Sequence, residues 1–228
     1  MNQIKLTGLL GLIGAILCGT GEFLLHFDEC RLGLGETGFD FMINTSETRL
    51  NIGHFFAVFG VPLYFVGVWH IAEMIKPADE KWSKALFLIG SFGFLYGAMW
   101  MSSRSSVGSL VHHADLIKDT NLIDLYNLRC ESLLNIIRIT TLVISIIYIK
   151  QVLTGLTRYP KWMAATSPIV LLVMNFIVLV VAPEVGRYVA PIALNVGFSL
   201  FFMLSLTFGN TGDHTTASLT QQKIQEAN

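Results

Sequence analysis

Residues 51–75 read NIGHFFAVFGVPLYFVGVWHIAEMI and run straight into Lys76. The run holds one carboxylate, Glu73, and is longer than the roughly 20 apolar residues that a membrane-spanning helix needs. Gly53, Gly60 and Gly67 recur at seven-residue spacing, which puts all three on one helix face. Small residues on one face let a second backbone come close where no hydrophobic attraction operates. Pro62 predicts a kink near the middle.

Five further runs of the same character lie on either side, at Leu6–Phe27, Ala85–Ser103, Leu133–Ile149, Trp162–Ala182 and Tyr188–Phe208. The composition agrees: 53% of the 228 residues are hydrophobic and 14% are charged, against about 25% charged in soluble domains. A single soluble domain of this length would expose large apolar patches, so a water-soluble enzyme is excluded. A net charge of −1 excludes a nucleic-acid partner, which needs a basic stripe. The expected fold is an all-α polytopic membrane bundle of six transmembrane helices. It forms one membrane domain over residues 1–208, followed by a polar, mobile tail over 209–228.

The connections alternate in charge. Those after spans 2 and 4 carry Lys76, Lys81, Lys84, Lys150, Arg158 and Lys161. Those after spans 1 and 3 are long and acidic, with Asp28, Glu29, Glu36, Asp40, Glu47, Asp115, Asp119 and Asp124. The positive-inside rule then puts both termini in the cytoplasm, in a cell inner membrane. No small-x-small cleavage site follows span 1, so it reads as a retained span rather than a signal peptide. In the loop between spans 3 and 4, Ser105–Lys118 is expected to form an amphipathic helix on the membrane surface. Gly90, Gly93 and Gly97 repeat the span 2 theme in span 3. Both glycine faces are expected packing seams, and a homo-oligomer through such faces is one expected partnership.

Polar side chains inside a bilayer are costly and count as functional candidates. Counted from each helix's lysine at 1.5 Å per residue, Glu22 lies about 25 Å up, His26 about 31 Å, His54 about 33 Å and Arg104 about 30 Å. On the same count Arg138 lies about 18 Å up, Asn135 about 22 Å, Glu131 about 28 Å and Asn175 about 21 Å. Asn195 in span 6 lies about 12 Å below Arg187. This shared depth predicts a polar cavity opening outward. Cys18, Glu22 and His26 form one stripe at i, i+4, i+8. Three readings of the stripe stay open. It can hold a divalent metal through Glu22, His26 and either His54 or the His112–His113 pair. It can be a polar seam in which Glu22 pairs with Arg138, or it can do metal-free acid–base work. Glu131, Asn135 and Arg138 also share a face, so Arg138 either pairs with Glu131 or Glu22, or holds an anionic substrate group. His112 and His113 are candidate lid residues, whereas Trp69, His70 and Glu73 read as anchors at the membrane interface.

His54 and His70 point to nearly opposite faces, which argues against a bis-histidine heme. The sequence has no mid-span lysine for a retinal, and no GxGxxG, P-loop, serine-elbow or HExxH motif. Cys30 and Cys130 sit at the outer ends of spans 1 and 4, so a disulfide there would place span 1 beside span 4.

The segments Arg49–His54 (RLNIGH), Phe59–Pro62 (FGVP) and Val66–Trp69 (VGVW), with Gly21, Glu22 and Trp100, resemble an uncharacterised bacterial multi-pass inner-membrane family over the first half of the chain. The resemblance implies a six-span inner-membrane protein and supplies no site residues. From the residues alone, the expectation is an intramembrane enzyme or binder for a lipid-like or small anionic amphiphilic substrate. Glu22, His26, His54 and Glu131 would be its catalytic groups. Arg104, Arg138, Asn135, Asn175, His112 and His113 would bind the substrate. The alternatives are an assembly subunit of a membrane complex and a small transporter, the latter disfavoured by the apolar inner halves of the spans.

Overall fold

The computed structural model describes residues 2–27, 42, 44–113 and 121–210, apart from the side chains of 121 and 123. The described residues are helical, with no strand among them. The helices are α1 (Gln3–His26), α2 (Glu47–Ile75), α3 (Glu80–His112), α4 (Asn121–Leu153), α5 (Pro168–Val181), α6 (Pro183–Val189) and α7 (Ala193–Phe208). Two 3-10 turns, Lys161–Thr166 and Ala190–Ile192, precede α5 and α7.

Side-chain caps set the starts. Asn2 accepts from the Ile4 N–H, Ser46 from the Arg49 N–H, and Asp79 from the N–H groups of Lys81 and Trp82. Each satisfies donors that a first turn leaves unpaired. At the other end of α1, the Arg49 guanidinium donates to the Phe27 and Phe23 carbonyls. A cation is favourable there, against the negative end of the helix dipole.

Among the described residues, five helices are long and apolar enough to cross a membrane: α1, α2, α3, Asp124–Leu153 of α4, and Pro183–Phe208, which joins α6 to α7. The expected fifth span is shorter. Pro160, Pro168 and Pro183 divide Trp162–Ala182 into a 3-10 turn and the 14-residue α5, about 21 Å long against a ~30 Å core. The expected surface helix after span 3 is also corrected. Helix α3 runs unbroken for 33 residues to His112. Ser105 and Gly108 pack against Leu50 of α2, so this stretch is the top of a long helix. Residues 114–118 of that expectation lie outside the described residues, as does the tail beyond 210.

Helices α1 and α2 pack along their glycines. A Cβ on Gly11 would meet the Gly67 Cα at 2.7 Å, one on Gly21 the Gly53 carbonyl at 2.6 Å, and one on Gly60 the Cys18 Sγ at 2.5 Å. The predicted seam therefore lies inside the chain. Next to it, α3 packs on α2 and on α4, while α7 packs on α1 and on α5. Span 1 was expected beside span 4; instead α1 packs chiefly on α2 and α7. The glycine seam and the Glu22–Asn195 bond described below hold it there. Tyr64, Tyr148, Phe198, Phe201 and Phe202 fill the centre towards the lysine-bearing end of the bundle.

Candidate functional site

Further from the lysines the core is hollow. A cavity of about 120 Å³ lies between α1, α2, α3, α4 and α7, and α5 contributes no wall to it. Most of its lining is apolar: Val61, Phe94, Met101, Leu134, Ile137, Ile144, Leu194 and Phe198. Three glycines of α3 also line it. Gly90 is pressed by Val68 and Gly93 by Thr140, but a Cβ on Gly97 would meet nothing within 4 Å. The second glycine stripe is thus only partly a seam, because Gly97 makes room for the cavity.

The polar groups of the cavity form a relay across three helices. The Tyr64 hydroxyl of α2 donates to Asn195 Oδ1 of α7 at 2.6 Å. Asn195 Nδ2 donates in turn to Glu22 Oε2 of α1, also at 2.6 Å. The amide orientation follows, because only a nitrogen can donate to the carboxylate. Glu22 Oε1 takes no hydrogen bond from any described residue and lies at the cavity wall.

Beside Trp100, Arg104 Nε donates to His26 Nε2 at 3.0 Å. A guanidinium only donates, so Nε2 is the acceptor and the ring proton sits on Nδ1, which donates to the Glu22 carbonyl at 3.0 Å. The His26 ring stacks on Trp100 with centroids 5.0 Å apart, and the Arg104 guanidinium lies 5.4 Å from the centre of the same indole. Trp100 lines the cavity, and its Nε1–H is buried with no acceptor among the described residues.

Of the residues singled out in the sequence, Glu22, Cys18 and Asn195 therefore line the cavity, while His26 and Arg104 are not part of its lining and pack against Trp100, which is. The others go elsewhere. His54 is half-exposed, with its ring against Phe55 of the same helix. Glu131 is half-buried with no ion pair or side-chain hydrogen bond to a described residue. Asn135 and Arg138 are exposed and pair with each other at 3.0 Å on the outer face of α4, so Arg138 meets neither Glu22 nor Glu131. Asn175 Nδ2 donates to the Ala193 carbonyl at 2.8 Å, which ties α5 to α7.

His112 and His113 do not cover the cavity. His112 Nε2 bonds the Met42 carbonyl at 2.8 Å, and its Nδ1 lies 3.5 Å from Glu47 Oε1, so it clamps the approach to α2. His113 is exposed and bonds back to the Ser109 carbonyl. Among the described residues no three metal-ligating side chains converge, so the Glu22–His26–His54 set is not assembled. The hydrogen bonds on both His26 nitrogens leave that ring no lone pair for a metal. Cys130 is a free, fully buried thiol, and Cys30 lies outside the described residues.

Sequence reasoning missed a second polar cluster, at the lysine end. His70, read as an interface anchor, is fully buried. Its Nδ1 donates to the Ile4 carbonyl at 2.8 Å and its Nε2 accepts from Ser205 at 2.7 Å. The Tyr159 hydroxyl donates to Ser205 at 3.0 Å, and burial pushes that hydroxyl above the ordinary tyrosine range, so it stays a donor. This cluster ties α1, α2 and α7 to the 154–160 connection. All its polar atoms are satisfied, which marks it as structural. No periodicity pointed to it, since Ser205 and Tyr159 are ordinary in sequence.

Compared with known proteins, the chain belongs to a family of unknown function, DUF6796, whose model matches residues 1–209. No curated protein matches it. No solved structure matches it either.

Proposed function

We propose that this member of DUF6796 is an integral membrane protein that takes a lipid-like amphiphile into the cavity beside Glu22. One observation carries the reading. An apolar cavity is lined by a carboxylate whose Oε2 is fixed by Asn195 while its Oε1 has no hydrogen-bond partner among the described residues. Binding sites for small molecules combine apolar walls with a few placed polar groups in this way. The ligand's apolar part lies along Phe94, Met101, Ile137 and Phe198, and its head donates a hydrogen bond to Glu22 Oε1. An anionic head fits less well, because Arg138 points away from the cavity and Arg104, which does not line it, is engaged with His26 and Trp100. The same reading has six spans, with α5 as a short fifth, in a bacterial inner membrane, and both termini in the cytoplasm beside the lysines.

Gly97→Leu tests this without touching a polar group. The added side chain enters open space, so the protein should fold and be at least as stable. The wild type should co-purify with an amphiphile that this variant lacks, as read by mass spectrometry of the intact protein and of its lipid extract. Equal amphiphile in both proteins would refute the reading. A second reading, an assembly subunit with a purely structural seam, has one observation in its favour. The Tyr64–Asn195–Glu22 relay closes α1, α2 and α7 on each other. On that reading Gly97→Leu changes no ligand, and Glu22→Gln lowers stability alone.

A further inference from the structure

The outer face of α4 differs from that of its neighbour. The exposed side chains described on α4 fall on one half of the helix, and from Leu125 to Ile146 a row of them steps alternately by three and four residues, with Asp124, Arg129 and Arg138 flanking it. That step is the a/d stripe of a coiled coil, with Leu125 at a. Helix α3 also has an outward face, and there Leu88, Phe92, Leu95 and Met99 are all apolar, as lipid requires. On α4 the stripe places Asn135 at d, with Arg138 beside it at g. These lie about 22 and 18 Å from Lys150 along the helix, inside a ~30 Å core. A guanidinium and an amide turned to hydrocarbon are costly. Their mutual bond leaves the Asn135 NH₂ group without an acceptor among the described residues.

We propose that α4 packs in parallel against α4 of a second copy of this chain, with the two Asn135 amides paired across the twofold axis. Self-pairing is what the chemistry favours. A carboxamide has both a donor and an acceptor, so two related by a twofold satisfy each other; asparagine pairs fix register at the a position of coiled coils, and Asn135 would do so here from d. The flanks agree. Exposed Asp124 falls at g and exposed Arg129 at e, five residues apart, where g of one helix meets e of the other in a parallel pair. Symmetry makes that contact twice. Arg129 and Asp124 lie about 31 and 39 Å from Lys150 along the helix, at the edge of the core and beyond it, where an ion pair is not desolvated. The glycine faces expected to hold copies together do not serve, because Gly53, Gly60 and Gly67 are occupied by α1, and Gly90 and Gly93 by α2 and α4. This surface is separate from the cavity and stands or falls without it.

Two measurements on the full-length protein test the pairing. In native membranes, Ile139→Cys on the stripe and Phe92→Cys on the α3 face are treated with a short thiol crosslinker, with the wild type as background. A dimer with Ile139→Cys and only background with Phe92→Cys is expected. In lipid vesicles, energy transfer between labelled copies should report association about tenfold weaker for Asn135→Leu, the scale of one interhelical polar contact in lipid. No dimer from Ile139→Cys, equal yields at both positions, crosslinking to a different protein, or unchanged association of Asn135→Leu would each overturn the proposal.

Discussion

Glu22 shows what a single side chain can and cannot disclose. Its depth in span 1 and its carboxylate marked it as a candidate, and it does line the cavity. Its partner was not legible. Arg138 was the obvious counter-charge by depth, yet the structure supplies a neutral amide, Asn195, from a helix 173 positions away. Depth gives one coordinate of a residue in a bundle, while the angle around each helix decides which neighbour it meets. Arg138 and Glu22 lie within about 7 Å of each other in depth and face different ways. The relay also makes Tyr64 testable. Tyr64→Phe removes the donor to Asn195 Oδ1 and leaves a buried acceptor unmatched, which costs about 1–3 kcal/mol. Denaturant titration in detergent should show that loss. A variant as stable as the wild type would mean that water or a ligand replaces the hydroxyl.

At the scale of the helix, the seven-residue glycine spacing marks a packing seam on α2, because in lipid only close backbones gain from such a face, but it does not name α1 as the partner, and the cysteine positions pointed span 1 towards span 4 instead. The α3 glycines looked identical in sequence and divide in the structure. What separates them is the neighbour across the gap, Val68 or Thr140 or none, which one sequence cannot supply. Opposite outcomes follow for one chemical change. Gly67→Ala drives a methyl into the Gly11 Cα and the Phe202 ring and should destabilise by about 1–3 kcal/mol, as overpacking does. Gly97→Ala meets nothing and should leave stability unchanged or raised. Thermal unfolding of the two variants side by side measures this, and equal losses would contradict the division. Prolines explain the missed boundaries: hydropathy merged a 3-10 turn with α5, and α6 with α7, where Pro168, Pro183 and Pro191 restart the chain.

Over the whole molecule, composition and hydropathy were enough for the class: apolar helices, outward apolar faces and a polar minority inside. The hollow was foreseen only in part. The prediction was a polar cavity gathering six charged or ionisable groups. The structure has a mostly apolar one with a single carboxylate on its wall among the described residues, and the His26–Arg104 pair lies outside its lining, against Trp100. That difference moves the expected ligand from an anion to an apolar molecule with a donating head. The most direct test uses a long-chain alcohol carrying a photoactivatable diazirine, added to the wild-type protein in lipid vesicles, irradiated, and mapped by peptide mass spectrometry. The account predicts labelling at cavity side chains such as Met101, Ile137 and Phe198, competed by unlabelled alcohol. Labelling confined to outward-facing residues such as Phe92, Ile139 and Val180, with no competition, would contradict it.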